Sequence, residues 1–305
     1  MTKGRKKSMA GDEFNQQLDA FLQYLQNNRA NSENTVTNYA VDLAQYADFM
    51  ETQGIALKDV TGQSIRAFLR SLSGFGYAGS SIARKLSAVK TFEQYLLEKN
   101  FVSSDPAAAL RSPRIPERLP RALSREAMDA LIARAWEIEP CLRNGTMLEV
   151  LYACGLRVSE LVSVLWENVD LEGRTIRVCG KGDKERFVLF GKYALDALSR
   201  WKEQRPPDAP YLFPGQRGGH ITVRTVHRVV VQAALQAGLT GVTPHSIRHS
   251  FATHMLEGGA ALNVLQELLG HESLLTTQRY LKITPGHLRD SYLAAHPRAG
   301  EEERN

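Results

Sequence analysis

Between residues 105 and 120 the chain reads DPAAALRSPRIPERLP, a stretch through which no helix can run unbroken. Pro106, Pro113, Pro116 and Pro120 each lack an amide donor and clash with the preceding turn of a helix. Arginines stand between them, so the stretch reads as an extended linker. It obliges the chain to build one folded body before it and another after it. A length of 305 residues is enough for two ordinary cores.

The part before the linker reads as helical over 14–104, behind a basic arm at 1–13. Val36, Tyr39, Leu43, Tyr46 and Met50 recur at spacings of three and four, with Ser32 placed to cap the start. A second helix, near 61–72, opens at Thr61 and stops at the glycines of SGFGYAGSS. In a third, Ile82, Leu86, Val89, Glu93 and Leu96 share one side, apolar except for Glu93. The opposite side carries Ser80, Arg84, Ser87 and Thr91 and no acid, a composition suited to phosphate contact as well as to plain solvation.

After the linker, Ser124 is placed to cap an amphipathic helix and a further helix leads into LYACGLRVSEL. GRTIRVCGKGDKERFVLF alternates and turns at GKGD, the mark of a β-hairpin. RPPDAPYLFPGQRGGH is loop chemistry, and from Thr222 onward the chain is mainly helical. The expected fold is therefore mainly α with a small β-sheet, in two domains at 14–104 and 121–290, followed by a tail at 291–305.

The net charge of +5 suits an anionic partner, but Lys3, Arg5, Lys6 and Lys7 carry four of those five charges and leave +1 on the body. No apolar run reaches the ~18 residues of a membrane span, and the first residues lack the apolar core of a secretory signal. Cys141, Cys154 and Cys179 are odd in number and show no C-x-x-C spacing, which speaks for a reducing, cytoplasmic setting and against a zinc ribbon. His245 and His249 stand four apart without a third ligand, and G-x-x-x-x-G-K-[ST] is absent; neither metal nor cofactor is expected.

Six residues stand in places suited to chemistry on a phosphate. Arg157 follows Gly155 at a helix start, where backbone amides also favour an anion. Lys181 sits between two glycines of the hairpin turn. His245 and Arg248 share a helix face that Pro244 helps to open. His271 follows Gly270 at a helix end, and Tyr280 closes LLGHESLLTTQRY. Taken singly, each is an ordinary surface arginine, turn lysine or packed tyrosine.

Taken together, VLYACGLRVSEL, GKGDKER, HSIRHSFATHML, LQELLGHESLLTTQRY and AHPRA resemble the tyrosine recombinases of the phage integrase family, most closely the Xer type of chromosome-dimer resolvase. The resemblance runs from about residue 14 to 298 and implies a helical core-binding domain, then a catalytic domain. The family's active-site residues fall on Arg157, Lys181, His245, Arg248, His271 and Tyr280. It implies a 3′-phosphotyrosyl intermediate on a double-stranded DNA recombination site. It also implies a tetramer, alone or with a second recombinase, and a DNA translocase of the FtsK type as partner. The C-terminal helix would pack into a neighbouring protomer through Leu288, Tyr292 and Leu293, or equally onto its own domain. Arg279 and LKI flank the tyrosine where Xer proteins often have an aliphatic residue and THV, and the basic arm is additional. These departures touch none of the six positions and leave the subfamily and the target DNA open; the alternative readings are an integrase of a mobile element, a type IB topoisomerase-like enzyme and a catalytically silent DNA-binding module. Relaxation, two-site recombination and binding without cleavage separate them.

Overall fold

The computed structural model describes residues 9–27, 33–112, 122–180, 185–216, 218–270 and 284–300. Ser32, the four basic residues of the arm, Pro113, Pro116, Pro120, Lys181, His271 and Tyr280 lie outside the described residues. The chain divides into two compact units, Met1–Glu117 and Arg118–Asn305.

Among the described residues the first unit holds four α-helices: α1 (Met9–Asn27), α2 (Glu33–Thr52), α3 (Gly62–Gly74) and α4 (Gly79–Glu98). Helix α1 begins inside the stretch expected as a basic arm. Helix α3 opens as its sequence demands: Thr61 Oγ1 accepts from the Ser64 amide at 3.2 Å while Ser64 Oγ accepts from the Thr61 amide at 2.9 Å. The apolar stripes of α2 and α4 meet in a core of aromatic rings, with Phe14, Phe21, Tyr46, Phe68 and Phe92 all buried. The linker expectation needs correcting at its start. Asp105 Oδ1 accepts from the Ala107 amide at 2.7 Å, a local turn that Pro106 favours, and Ala107 and Leu110 are buried in this core.

The second unit is built around α6 (Cys141–Cys154), whose residues are buried on every side from Asn144 onward. Around it lie α5 (Arg125–Ala135), α8 (Lys192–Gln204), α9 (Val223–Gln236) and α10 (Pro244–Glu257). A three-stranded antiparallel sheet, β1 (Val169–Asp170), β2 (Thr175–Cys179) and β3 (Glu185–Leu189), runs in sequence order, with Thr175 opposite Leu189 and Cys179 opposite Glu185. Ile176, Val178 and Val188 turn inward, as the alternation requires. Ser124 caps α5 as expected, accepting from the Ala127 amide at 3.2 Å.

Helix α7 (Val158–Ser163) follows α6, α11 (Leu262–Leu269) follows α10, and α12 (Pro285–Ala295) closes the unit. Helix α12 spans the boundary expected at 290/291 and packs on its own unit. Tyr292 is buried and donates its hydroxyl to the Ala153 carbonyl at 3.0 Å, while Leu288 and Leu293 lie half-buried against the same core. Arg298, just beyond, forks onto Glu149 and also reaches Asp129. Within the single chain these residues pack intramolecularly.

Candidate active site

Helix α6 ends at Gly155 with φ 57°, a left-handed conformation that suits glycine. A Cβ there would lie 2.3 Å from the Phe251 ring, so close packing adds a second demand for glycine. The reversal carries the chain into α7, with Arg157 at its N-cap and Glu160 one turn inside. Glu160 Oε2 accepts from the Arg157 amide at 2.8 Å, satisfying one of the unpaired donors of a helix start.

Glu160 is buried, and three guanidinium groups converge on it. Arg157 Nη1 donates to Oε1 at 2.8 Å. Arg186, from β3, gives a two-point fork: Nη1 to Oε1 at 2.8 Å and Nη2 to Oε2 at 3.0 Å. Arg248, from α10, brings Nη1 to 3.8 Å from Oε2. Burial works to raise the Glu160 pKa, but the hydrogen bonds from Arg186 and Arg157 prevail and hold it below its ordinary value. Three cations around one carboxylate leave an excess of two positive charges, a strong field for an anion.

Arg248 is held mainly by backbone. Its Nη1 donates to the Gly155 carbonyl at 2.6 Å and its Nη2 to the Leu269 carbonyl at 2.8 Å. A guanidinium has five N–H groups, so donors remain for a substrate oxygen. Burial, then repulsion from Arg157, brings its pKa down to about 10, and it stays charged at neutral pH. Arg157 is the exposed member, with 41% of its side-chain surface accessible, and its Nη2 reaches the Gly270 carbonyl at the long distance of 3.5 Å. Gly270 caps α11 with φ 62°, so the end of that helix is tied to both arginines.

His245 occupies the second position of α10 and is exposed. The helix start is fixed by Thr243 and Ser246, whose side chains each accept from the other's amide at 3.3 and 3.2 Å. His245 therefore stands in the first turn of a capped helix, one turn before Arg248. Arg157 and Arg248 converge on Glu160, and the α10 turn bearing His245 belongs to the same unit. The positions of Lys181, His271 and Tyr280 relative to them fall outside the described residues.

The other candidate group lies in the first unit. Ser80, Arg84 and Ser87 are exposed along α4, and Thr91 is half-buried. Thr91 turns its hydroxyl to the Ser87 carbonyl at 3.0 Å. Arg84 is ion-paired with Asp42, a fully buried acid of α2 that also holds the buried Lys85 Nζ at 2.7 Å. The acid missing from the α4 face is thus supplied by its neighbour, and Arg84 is held in place with 44% of its side chain accessible.

Glu160 and Arg186 were not singled out from the sequence although both lie inside quoted motifs, SEL and KER. The available signal was Glu160 three residues after Arg157 at a helix start, the spacing of a capping glutamate. For Arg186, inward-facing charge on a half-buried hairpin offered none.

Comparison with known proteins agrees with this architecture. The model of the phage integrase family matches residues 121–287, and that of the phage integrase N-terminal SAM-like domain matches residues 18–100. The tyrosine recombinase XerC of Halalkalibacterium halodurans is 41% identical over 297 residues, covering 93% of this chain and 98% of its own. That of Mycobacterium sp. (strain JLS) is 40% identical over 296 residues, covering 92% and 99%. In fold, the chain is similar to a lambda integrase (75–356) dimer bound to a COC′ core site, with a TM-score of 0.69 at 21% identity over 88% of this chain and 99% of that one. Identity at this level along nearly the whole length, on a fold of the same kind, has one consequence: this chain belongs to the phage integrase family and is a site-specific tyrosine recombinase of the Xer type.

Proposed function

We propose that the enzyme cuts and rejoins double-stranded DNA through a 3′-phosphotyrosyl link to Tyr280. The observation that carries this reading is the convergence of Arg157 and Arg248 on Glu160, which holds two guanidiniums side by side with donors to spare. Attack on a phosphodiester adds charge to its nonbridging oxygens. Donors aimed there bind the transition state more strongly than the ground state.

In this scheme Tyr280 Oη attacks phosphorus and loses its proton to His245, whose imidazole serves as general base. The P–O5′ bond breaks, and the 5′-oxygen takes a proton from Lys181. His271 adds a donor to the same phosphate; in the chain it directly follows Gly270, whose carbonyl accepts from Arg157. One phosphate ester is exchanged for another, so the bond energy is kept for rejoining. Ser80, Arg84, Ser87 and Thr91 contact the duplex backbone or groove from the N-terminal domain, joined to the catalytic domain by the proline linker.

As part of the same proposal, the enzyme resolves chromosome or plasmid dimers, with four protomers acting with or without a second recombinase and a translocase of the FtsK type. The test begins with sequencing of protein-linked DNA ends recovered from cells, which maps the cleavage site. A nicked suicide duplex carrying that site should then trap the parent as a protease-sensitive covalent band. Tyr280→Phe should fold and bind the duplex yet give no band. Covalent attachment by the Phe variant at the parental rate would overturn the assignment.

A further inference from the structure

We propose that Arg186 is a positioning residue for strand cleavage, one that occupies Glu160 and the end of α11 so that Arg157 and Arg248 stay turned toward a phosphate. The inference rests on the reading of those two arginines as the phosphate grip.

Arg186 is the second residue of β3, opposite Val178, and only 11% of its side chain is accessible. Its Nε donates to the Leu268 carbonyl at 3.0 Å, and its two terminal nitrogens fork onto Glu160. Three of its five N–H groups are thus engaged inside the protein. Its stem passes so close to Gly270 that a Cβ there would meet Cδ at 3.0 Å. Such a guanidinium is poorly disposed to serve as a substrate ligand and well disposed to fix three elements, β3, α7 and α11, at one point.

The acceptor count on Glu160 gives the reason. A carboxylate offers about four lone-pair sites. Glu160 receives the Arg157 amide, Arg157 Nη1, Arg186 Nη1 and Arg186 Nη2, and is filled. Removing Arg186 leaves two of those sites empty on a buried anion, which is costly. Among the described residues the donor poised to fill them is Arg248 Nη1, at 3.8 Å from Oε2. Drawing it in would pull Arg248 from the Gly155 carbonyl and from the substrate. Arg186 therefore acts through Glu160, by keeping the carboxylate from capturing a guanidinium needed elsewhere. The hydrogen bond from Arg186 is also the largest influence opposing the upward push of burial on Glu160, so its loss raises that pKa.

The experiment measures single-turnover covalent-complex formation on the mapped suicide duplex, with duplex affinity and thermal unfolding followed in parallel. Arg186→Ala should bind the duplex as the parent does and react on the order of 10- to 100-fold more slowly. In the Glu160→Gln background the same change should cost far less, because an uncharged amide does not draw on Arg248. The Arg186→Ala deficit should also narrow as pH is lowered, since a protonated Glu160 releases Arg248. Arg186→Lys keeps the charge and the stem but cannot make the fork; it should fold and fall between, and it carries the same cycle if the alanine variant unfolds. Parental rates in both variants, or a deficit equal in the two Glu160 backgrounds and at every pH, would overturn the proposal while the parent still reacts. A parent that forms no covalent product, or a Tyr280→Phe variant that forms it equally, would overturn the phosphotyrosyl reading and this inference with it.

Discussion

Tyr46 donates its hydroxyl to Oε1 of Glu93 at 2.7 Å in the centre of the N-terminal unit, with both side chains fully buried. Oε2 of Glu93 has no partner among the described residues. Burial pushes the Glu93 pKa up to about 7, against the pull of the Tyr46 hydrogen bond and with a further push from Asp105. The folded carboxyl thus holds its proton more tightly than the unfolded one. Its stabilising contribution is complete below the ordinary value of 4.5 and is lost as pH rises through about 7. Glu93→Gln should remove this dependence. The stability gap between parent and variant should change by about 3 kcal/mol across that window, to the parent's disadvantage at high pH, as read by urea unfolding at several pH values.

Arg157 and Arg248 should separate in their effect on stability. Alanine at either removes a donor from the proposed phosphate grip and should slow covalent trapping about 100- to 1,000-fold. Arg248→Ala also leaves the Gly155 and Leu269 carbonyls without their guanidinium donors in a buried setting. It should destabilise the fold by about 2 kcal/mol or more, whereas the exposed Arg157 should cost less. Thermal unfolding beside single-turnover trapping checks both halves.

Arg298 holds Glu149 by two contacts, Nε to Oε1 at 2.7 Å and Nη2 to Oε2 at 2.9 Å, and its guanidinium lies 4.3 Å from the centre of the Tyr193 ring. Burial still outweighs Arg298 at Glu149 and keeps that carboxyl above its ordinary value. Arg298→Ala leaves the acid buried without its cation and should cost about 3–5 kcal/mol at neutral pH. The loss should grow as pH rises, because an unpaired Glu149 resists ionisation further. Arg298→Lys should recover part of it, lacking the fork. Denaturant melts at acid and alkaline pH measure both effects.

The elements legible in the sequence were those whose signal is local. The stripe of Val36, Leu43, Tyr46 and Met50, the Thr61 and Ser124 caps and the alternation of Ile176 and Val178 each report a period or a turn within a few residues. The candidate site stands in the sequence as motif letters and not as geometry. Arg186 meets Glu160 across 26 residues, and Arg84 meets Asp42 across 42, distances at which periodicity says nothing. Glu93 shows the same limit: one acid in an apolar stripe does not reveal that a tyrosine from another helix will receive it. The choice between exchanged and intramolecular packing of α12 was open for a related reason, since the same apolar residues serve either partner.

The main-chain anchoring of Arg248 bears on how this enzyme tolerates mutational drift. Its hydrogen-bond partners at positions 155 and 269 are carbonyls, which every amino acid possesses. No exchange of side chain at those positions deletes an acceptor; it can do harm by bending the path on which the acceptor rides. The vulnerability therefore moves from side-chain chemistry to conformation, and it gathers at Gly155, where the left-handed turn and the Phe251 ring both exclude a Cβ. A lineage could rebuild much of the surrounding packing and keep this arginine aimed, provided that one turn keeps its handedness.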